Sequence, residues 1–154
     1  MNHLGYILMA DDSEEDVELA QRALSQSKLA NRIVVVRDGA EALDYLYRRG
    51  SFSLRDQTEP IVVLLDISMP KVNGIEVLAK MKSDPFLKTI PVVMLTSSRQ
   101  GPDVDECYRL NANAYVVKPV DFEQFADAIR TIGKFWGILN EGQQFISKTA
   151  ALGE

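Results

Sequence analysis

Val62-Val63-Leu64-Leu65 is a run of four apolar residues with no polar alternation, and it ends abruptly in the carboxylate of Asp66. A strand loses its alternation when both of its faces are covered, so this run reads as a central strand of a sandwiched sheet, Ile61 to Asp66. A carboxylate at the C-terminal end of such a strand sits at the rim of the sheet, where open α/β sheets carry their chemistry. Four other segments repeat the pattern. Tyr6–Ala10 ends in Asp11-Asp12, Ile33–Val36 ends near Arg37-Asp38, Ile90–Leu95 ends at Thr96, and Ala114–Val117 ends in Lys118-Pro119.

Between these runs the apolar period changes from strand to helix. Ser13-Glu14-Glu15-Asp16 resembles a capping box, with acids in a first turn where the helix dipole favours them. Val17, Ala20, Ala23 and Leu24 then form a stripe to about Ser27. Asp38-Gly39 reads as a turn, and Ala40, Leu43, Leu46 and Tyr47 as a second helix with Gly50 as its stop. Residues 51–60 read as an exposed loop. A third helix starts near Asn73 and carries Ile75, Val77, Leu78 and Met81. Pro102-Asp103 opens a fourth, with Val104, Cys107, Tyr108 and Leu110. The last runs from about Asp121 to Leu139. The order βαβαβαβαβα, with crossovers of helical length, requires parallel strands and right-handed connections. The fold expected is α/β, a doubly wound five-stranded parallel sheet in the flavodoxin-like order 2-1-3-4-5. Its switch point lies between strands one and three, which end in Asp11-Asp12 and Asp66.

Size and charge remove several classes of function. At 154 residues the chain suggests one domain, 1–140, with 141–154 as a tail. The net charge is −5 and the basic residues are scattered, so no stripe for nucleic acid is present. No apolar run approaches the roughly 20 residues that span a bilayer, and the N-terminus turns acidic too early for a signal peptide. The single cysteine, Cys107, permits no internal disulfide and reads as a packing residue. The expectation is a cytoplasmic protein with neither nucleic acid nor membrane as partner.

In this topology Asp11, Asp12, Asp66, Thr96 and Lys118 converge on one pocket. Carboxylates about 4 Å apart repel by roughly 4 kcal/mol per pair at an effective dielectric near 20. Shared protons or a bound cation relieve this. Oxygen-only ligands suit a hard ion, and Mg²⁺ uses one or two carboxylates while keeping waters. Asp12 and Asp66 are the expected ligands, with Asp11 acting directly or through a water and the backbone carbonyl of Ser68 as a further donor. Lys118 supplies a positive charge for Asp66 or for a phosphoryl oxygen, and Thr96 a hydroxyl for a phosphoryl oxygen. Such a set suits phosphoryl transfer, which depends on positioning and charge neutralisation. Asp66 is the expected nucleophile, forming an aspartyl phosphate.

These motifs, with Met69-Pro70 and Gly74 after Asp66 and Ser97 after Thr96, resemble the response-regulator receiver domains of two-component signalling, the CheY-like fold. The separations from Asp66, 30 residues to Thr96 and 52 to Lys118, also look like that family, and the resemblance covers about residues 5 to 139. It implies that Asp66 accepts phosphate from a sensor histidine kinase and that Thr96 and Tyr115 form the switch. It further implies a cis Lys118-Pro119 bond and a phosphate lifetime tuned at Ser68 and Ser98. The segment 51–60, the lack of an output domain and the aromatic last helix look like the small regulators paired with cyanobacterial phytochromes. Such a protein is not an enzyme with an external substrate. Its output goes to a protein target or a phosphotransfer protein. The last helix stripe, Phe122, Phe125, Ala126, Ile129, Ile132 and Trp136, serves the core or a homodimer through the fourth helix, fifth strand and fifth helix.

Blander readings compete. Asp66 alone would be a helix cap, Lys118 alone a solvated lysine, Tyr115 a buried strand tyrosine and His3 a terminal residue off the pocket. A phosphohydrolase with an aspartate nucleophile would place Asp-x-Asp after strand one, where this chain has Asp11-Asp12-Ser13. A flavin module wants a hydroxyl- and glycine-rich loop there, and two carboxylates repel its phosphate.

Overall fold

A computed structural model describes residues 5–27, 32–97, 101–118, 121 and 123–124. The elements are β1 (Tyr6–Ala10), α1 (Glu14–Ser27), β2 (Arg32–Val36), α2 (Gly39–Tyr47), β3 (Val62–Leu65), α3 (Gly74–Ser83), β4 (Val92–Thr96), α4 (Gly101–Arg109) and β5 (Ala114–Val117). The strands form one sheet in the order β2-β1-β3-β4-β5, every pair parallel. The topology expected from the apolar runs is therefore the one observed.

The missing alternation has the expected cause. Leu8, Ala10, Val63, Leu65, Val92 and Met94 pack on one face with Leu46 of α2, Leu78 of α3 and Cys107 of α4. Ile7, Met9, Val62, Leu64, Val93 and Leu95 pack on the other with Val17 and Ala20 of α1. Each fully buried large side chain contributes on the order of 2 kcal/mol. Exposed ion pairs such as Arg22–Glu18 contribute about 0–1 kcal/mol, so the two apolar layers hold the sheet together.

Local chemistry sets the helix starts. Asp38 Oδ1 accepts from the Glu41 amide at 2.7 Å and caps α2. Asn73 and Glu76 exchange reciprocal bonds of 2.9 and 3.0 Å, a complete capping box for α3. Asp121 Oδ1 accepts from the Gln124 amide at 2.8 Å, as at a helix start. The body of the expected last helix, its dimer face and the tail lie outside the described residues.

Three local expectations differ from the structure. Helix α2 ends at Tyr47, and Arg48 takes the left-handed cap (φ 55°) in place of Gly50 because its amide reaches the Asp44 and Tyr45 carbonyls. The segment 51–60 is not simply an exposed loop. Gly50–Phe52 forms a 3-10 turn, and the Arg55 side chain is only 8% exposed. The Arg55 guanidinium lies 4.2 Å over the Tyr45 ring and bonds the carbonyls of Tyr45, Asp56 and Thr58. Strand β4 starts at Val92, because Leu87–Thr89 forms a 3-10 turn just before it.

The loop from Asp66 to Asn73 is held between two helix starts. A Cβ on Gly39 would lie 1.8 Å from the Val72 carbonyl oxygen. A Cβ on Gly74 would lie 2.1 Å from the Asp66 carbonyl oxygen and 2.8 Å from its carbon. Both obstacles are backbone and cannot swing aside. Gly74→Ala is expected to lower stability by about 1–3 kcal/mol through forced backbone movement. Urea unfolding measures it, and an unchanged midpoint would contradict the contact.

Candidate functional site

The strand ends bring together most of the residues expected at the pocket. Backbone bonds from the Asp11 amide to the Val36 carbonyl and from the Asp66 amide to the Ala10 carbonyl, both 3.0 Å, fix the two acids just past β1 and β3. Asp11 is fully buried, Asp66 is 6% exposed and Asp12 is exposed, so the cluster is reachable from solvent. One oxygen from each of Asp11, Asp12 and Asp66 lies within 4.8 Å of the others. Thr96, buried at the end of β4, is tied to the site by the bond from the Lys118 amide to its carbonyl, 2.9 Å. Tyr115, next to Met94 of β4 in register, is half-buried and packs against the core on the α2, α3 and α4 side.

Lys118 is where the arrangement differs from expectation. Its Nζ lies 3.3 Å from Asp66 Oδ2, the partner anticipated, but closer to Asp11 Oδ2 at 2.6 Å and to Asp16 Oδ2 at 2.8 Å. Burial would pull this ammonium down. Its close contacts with Asp11 and Asp16 and the charges of Asp66 and Asp11 outweigh burial and hold it well above the ordinary lysine range. Asp16 is thus a member of the cluster that its sequence position did not reveal. An acid in a first helical turn has a sufficient explanation in the helix dipole. The available signal was its place five residues after Asp11, on a helix that begins at the strand end and whose side chains lean back toward that end.

The Asp66 carboxyl is raised too, but there the neutral form gains. Burial raises its carboxyl to about 6; Lys118 lowers it, Asp11 raises it, and its hydrogen bonds from Lys118 and from the Ser68 backbone lower it. The Ser68 side is exposed, and its backbone donates toward Asp66. Asp11 Oδ1 accepts from the Ser13 amide at 2.9 Å. Its Oδ2 faces the ammonium yet receives no hydrogen bond of normal geometry and is buried. Three carboxylates offering oxygens only, drawn within 4.8 Å of one another, fit a hard divalent cation. Cys107 stays apart, buried in the core with its thiol pushed up to about 11 by burial. His3, Ser98 and the Lys118-Pro119 bond lie outside the described residues, and among those residues no helix is long and apolar enough to cross a membrane.

Known proteins are similar to this chain in sequence and fold. The model of the response regulator receiver domain matches residues 7–130. The response regulator Rcp1 of Synechocystis is 36% identical over 130 residues, covering 84% of this chain and 87% of that protein. The solved bacteriophytochrome response regulator RtBRR is 49% identical, with a TM-score of 0.80 over 98% of this chain and 96% of its own. A solved Mn²⁺-bound form of Rcp1 is 34% identical, with a TM-score of 0.70 over 86% and 92%. The chain belongs to the receiver-domain family of two-component response regulators, related to those of phytochromes.

Proposed function

We propose that this chain is a phosphoacceptor switch in which Asp66 takes a phosphoryl group from a histidine kinase, a phytochrome among kinases, with Mg²⁺ as its cation. The observation that carries the reading is one ammonium, Lys118 Nζ, within 3.3 Å of Asp66 and closer still to Asp11, beside a cluster of oxygen-only ligands. The Mn²⁺-bound form of Rcp1 supports the cation, and the similarity to a bacteriophytochrome response regulator supports the kinase class.

Asp11, Asp12 and Asp66, with the Ser68 carbonyl, are the residues that would hold the cation. When bound, it neutralises charge on the transferred phosphoryl oxygens. An Asp66 carboxylate oxygen attacks phosphorus. The phosphorus–nitrogen bond of a phosphohistidine breaks, its electron pair leaves on the imidazole nitrogen, and an acyl phosphate remains on Asp66. Lys118 offers its ammonium, and Thr96 its hydroxyl, to the new phosphoryl oxygens. Attack of water on phosphorus later returns the bonding pair to the carboxylate. Movement of Thr96 toward the phosphoryl group leaves space for Tyr115, which alters the α4–β5 surface that a partner or a second copy reads.

Incubation with a small acyl phosphate and Mg²⁺ tests this. One acid-labile phosphoryl group per chain, mapped to Asp66, is expected, and chelation of the cation is expected to abolish uptake. Label on another residue, or sustained turnover of a phosphoester without an adduct, would sink the reading. Without any phosphodonor, saturating Mg²⁺ is expected to raise the melting temperature near neutral pH. At a hundredfold excess over its dissociation constant the gain is about 2.7 kcal/mol.

A further inference from the structure

Asp16 has no part in the chemistry above, yet its Oδ2 takes a 2.8 Å bond from Lys118 Nζ across 102 residues of sequence. An ammonium has three donors and no acceptor. Asp16 accepts from it at 2.8 Å, while Asp11 and Asp66 each set one carboxylate oxygen beside it as ion pairs, at 2.6 and 3.3 Å. We infer that Asp16 is a positioning residue: its hydrogen bond, beside the charge of Asp11, holds the Lys118 ammonium so that it faces Asp66 and the phosphoryl group carried there. The inference rests on the phosphoacceptor reading of Asp66.

The first turn of α1 is built for this. Ser13 Oγ accepts from the Asp16 amide at 3.3 Å, while the Ser13 amide donates to Asp11 Oδ1 at 2.9 Å. One residue therefore orients the Asp11 carboxylate and holds the backbone of the turn that carries Asp16. The other acids of the turn do not share the task. Glu14 has an 83% exposed side chain and pairs with Arg37 at 2.8 Å, and Glu15 is exposed. The Asp16 side chain is only 28% exposed and that of Lys118 only 9%, so this pair is poorly screened. Asp16 also lies outside the three-carboxylate cluster. When Asp11 and Asp66 turn to a cation, Asp16 is the carboxylate left to keep a like-charged ammonium in the pocket.

Asp16→Asn and Asp16→Ala test the inference in the full chain. The first readout needs neither cation nor phosphate. An ammonium gripped by carboxylates exchanges its protons slowly, so a Lys118 Nζ signal in proton–nitrogen spectra is expected in wild type, weakened in Asp16→Asn and lost in Asp16→Ala. The second readout is the rate of phosphoryl uptake from acetyl phosphate with Mg²⁺. It is expected to fall about tenfold in Asp16→Ala, the order of one charge-assisted hydrogen bond, with Asp16→Asn between. The final extent of labelling is expected to be unchanged. A wild-type rate in Asp16→Ala, or a Lys118 signal that survives there, would overturn the inference. So would melting temperatures lowered equally in both variants at unchanged rate, the result of a purely structural role. If wild type itself takes no label at Asp66, the phosphoacceptor reading fails, while the ammonium signal still judges the grip of Asp16 on Lys118.

Discussion

An Asp66→Asn chain is expected to take up no phosphoryl group and yet, without metal and near neutral pH, to be more stable than wild type. The first half follows from loss of the nucleophile, since an amide oxygen does not form the acyl phosphate. The second follows from burial. In the folded chain the Asp66 carboxyl is raised from 3.8 to about 6, so folding favours its protonated form. A carboxyl raised in this way contributes stability that is present below about 3.8 and lost as pH rises through about 6. Each unit is worth about 1.4 kcal/mol, so removing the charge is expected to stabilise the chain by about 1–3 kcal/mol near neutrality. Below the unfolded-state value the two chains are expected to converge. Urea midpoints at both pH values measure it, and a variant less stable than wild type near neutral pH would show that the Asp66 carboxylate is a net support of the fold.

Lys118→Ala is expected to act in the opposite direction and more strongly. It leaves Asp11, which is fully buried, and Asp66, 6% exposed, without their shared counter-charge. Removing one partner of a buried ion pair costs about 3–5 kcal/mol because the charge left behind is uncompensated. Phosphoryl uptake is expected to fall with it. The double variant Asp66→Asn with Lys118→Ala is expected to lose less than the single effects added together, since one of the stranded charges has gone. Denaturant unfolding at constant slope reads all four chains, and strict additivity would mean that Lys118 and Asp66 do not interact.

The contrast between these variants shows how much of the site could be read in advance. Asp11, Asp12, Asp66 and Lys118 each interrupt or terminate a buried apolar run, and a charge there has nowhere to go except the rim of the sheet. The parallel order then places those rims side by side. Thr96 was legible for the same reason. Asp16 was not, because an acid at a helix start is already accounted for by the dipole, and only the fold shows which way it points. Arg55 was missed on similar grounds. A charged residue in a polar segment reads as solvated, whereas here the Tyr45 ring and three carbonyls give it a buried place. The left-handed cap at Arg48 carries no sequence mark, since glycine two residues later was the better candidate.

The grip of Lys118 on α1 has a further meaning for how the chain is assembled. The carboxylates of Asp11, Asp16 and Asp66 all precede β5, while their ammonium arrives from the far side of it, 102 residues beyond Asp16. During synthesis the acids are made first and their neutraliser late. A partly assembled sheet that lacks the last strand carries mutual repulsion where β1 and β3 meet, and docking β5 relieves it. The same lysine that serves the finished pocket therefore favours completion of the sheet over arrest one strand short, making the chemistry of the site and the cooperativity of folding two uses of one ion pair.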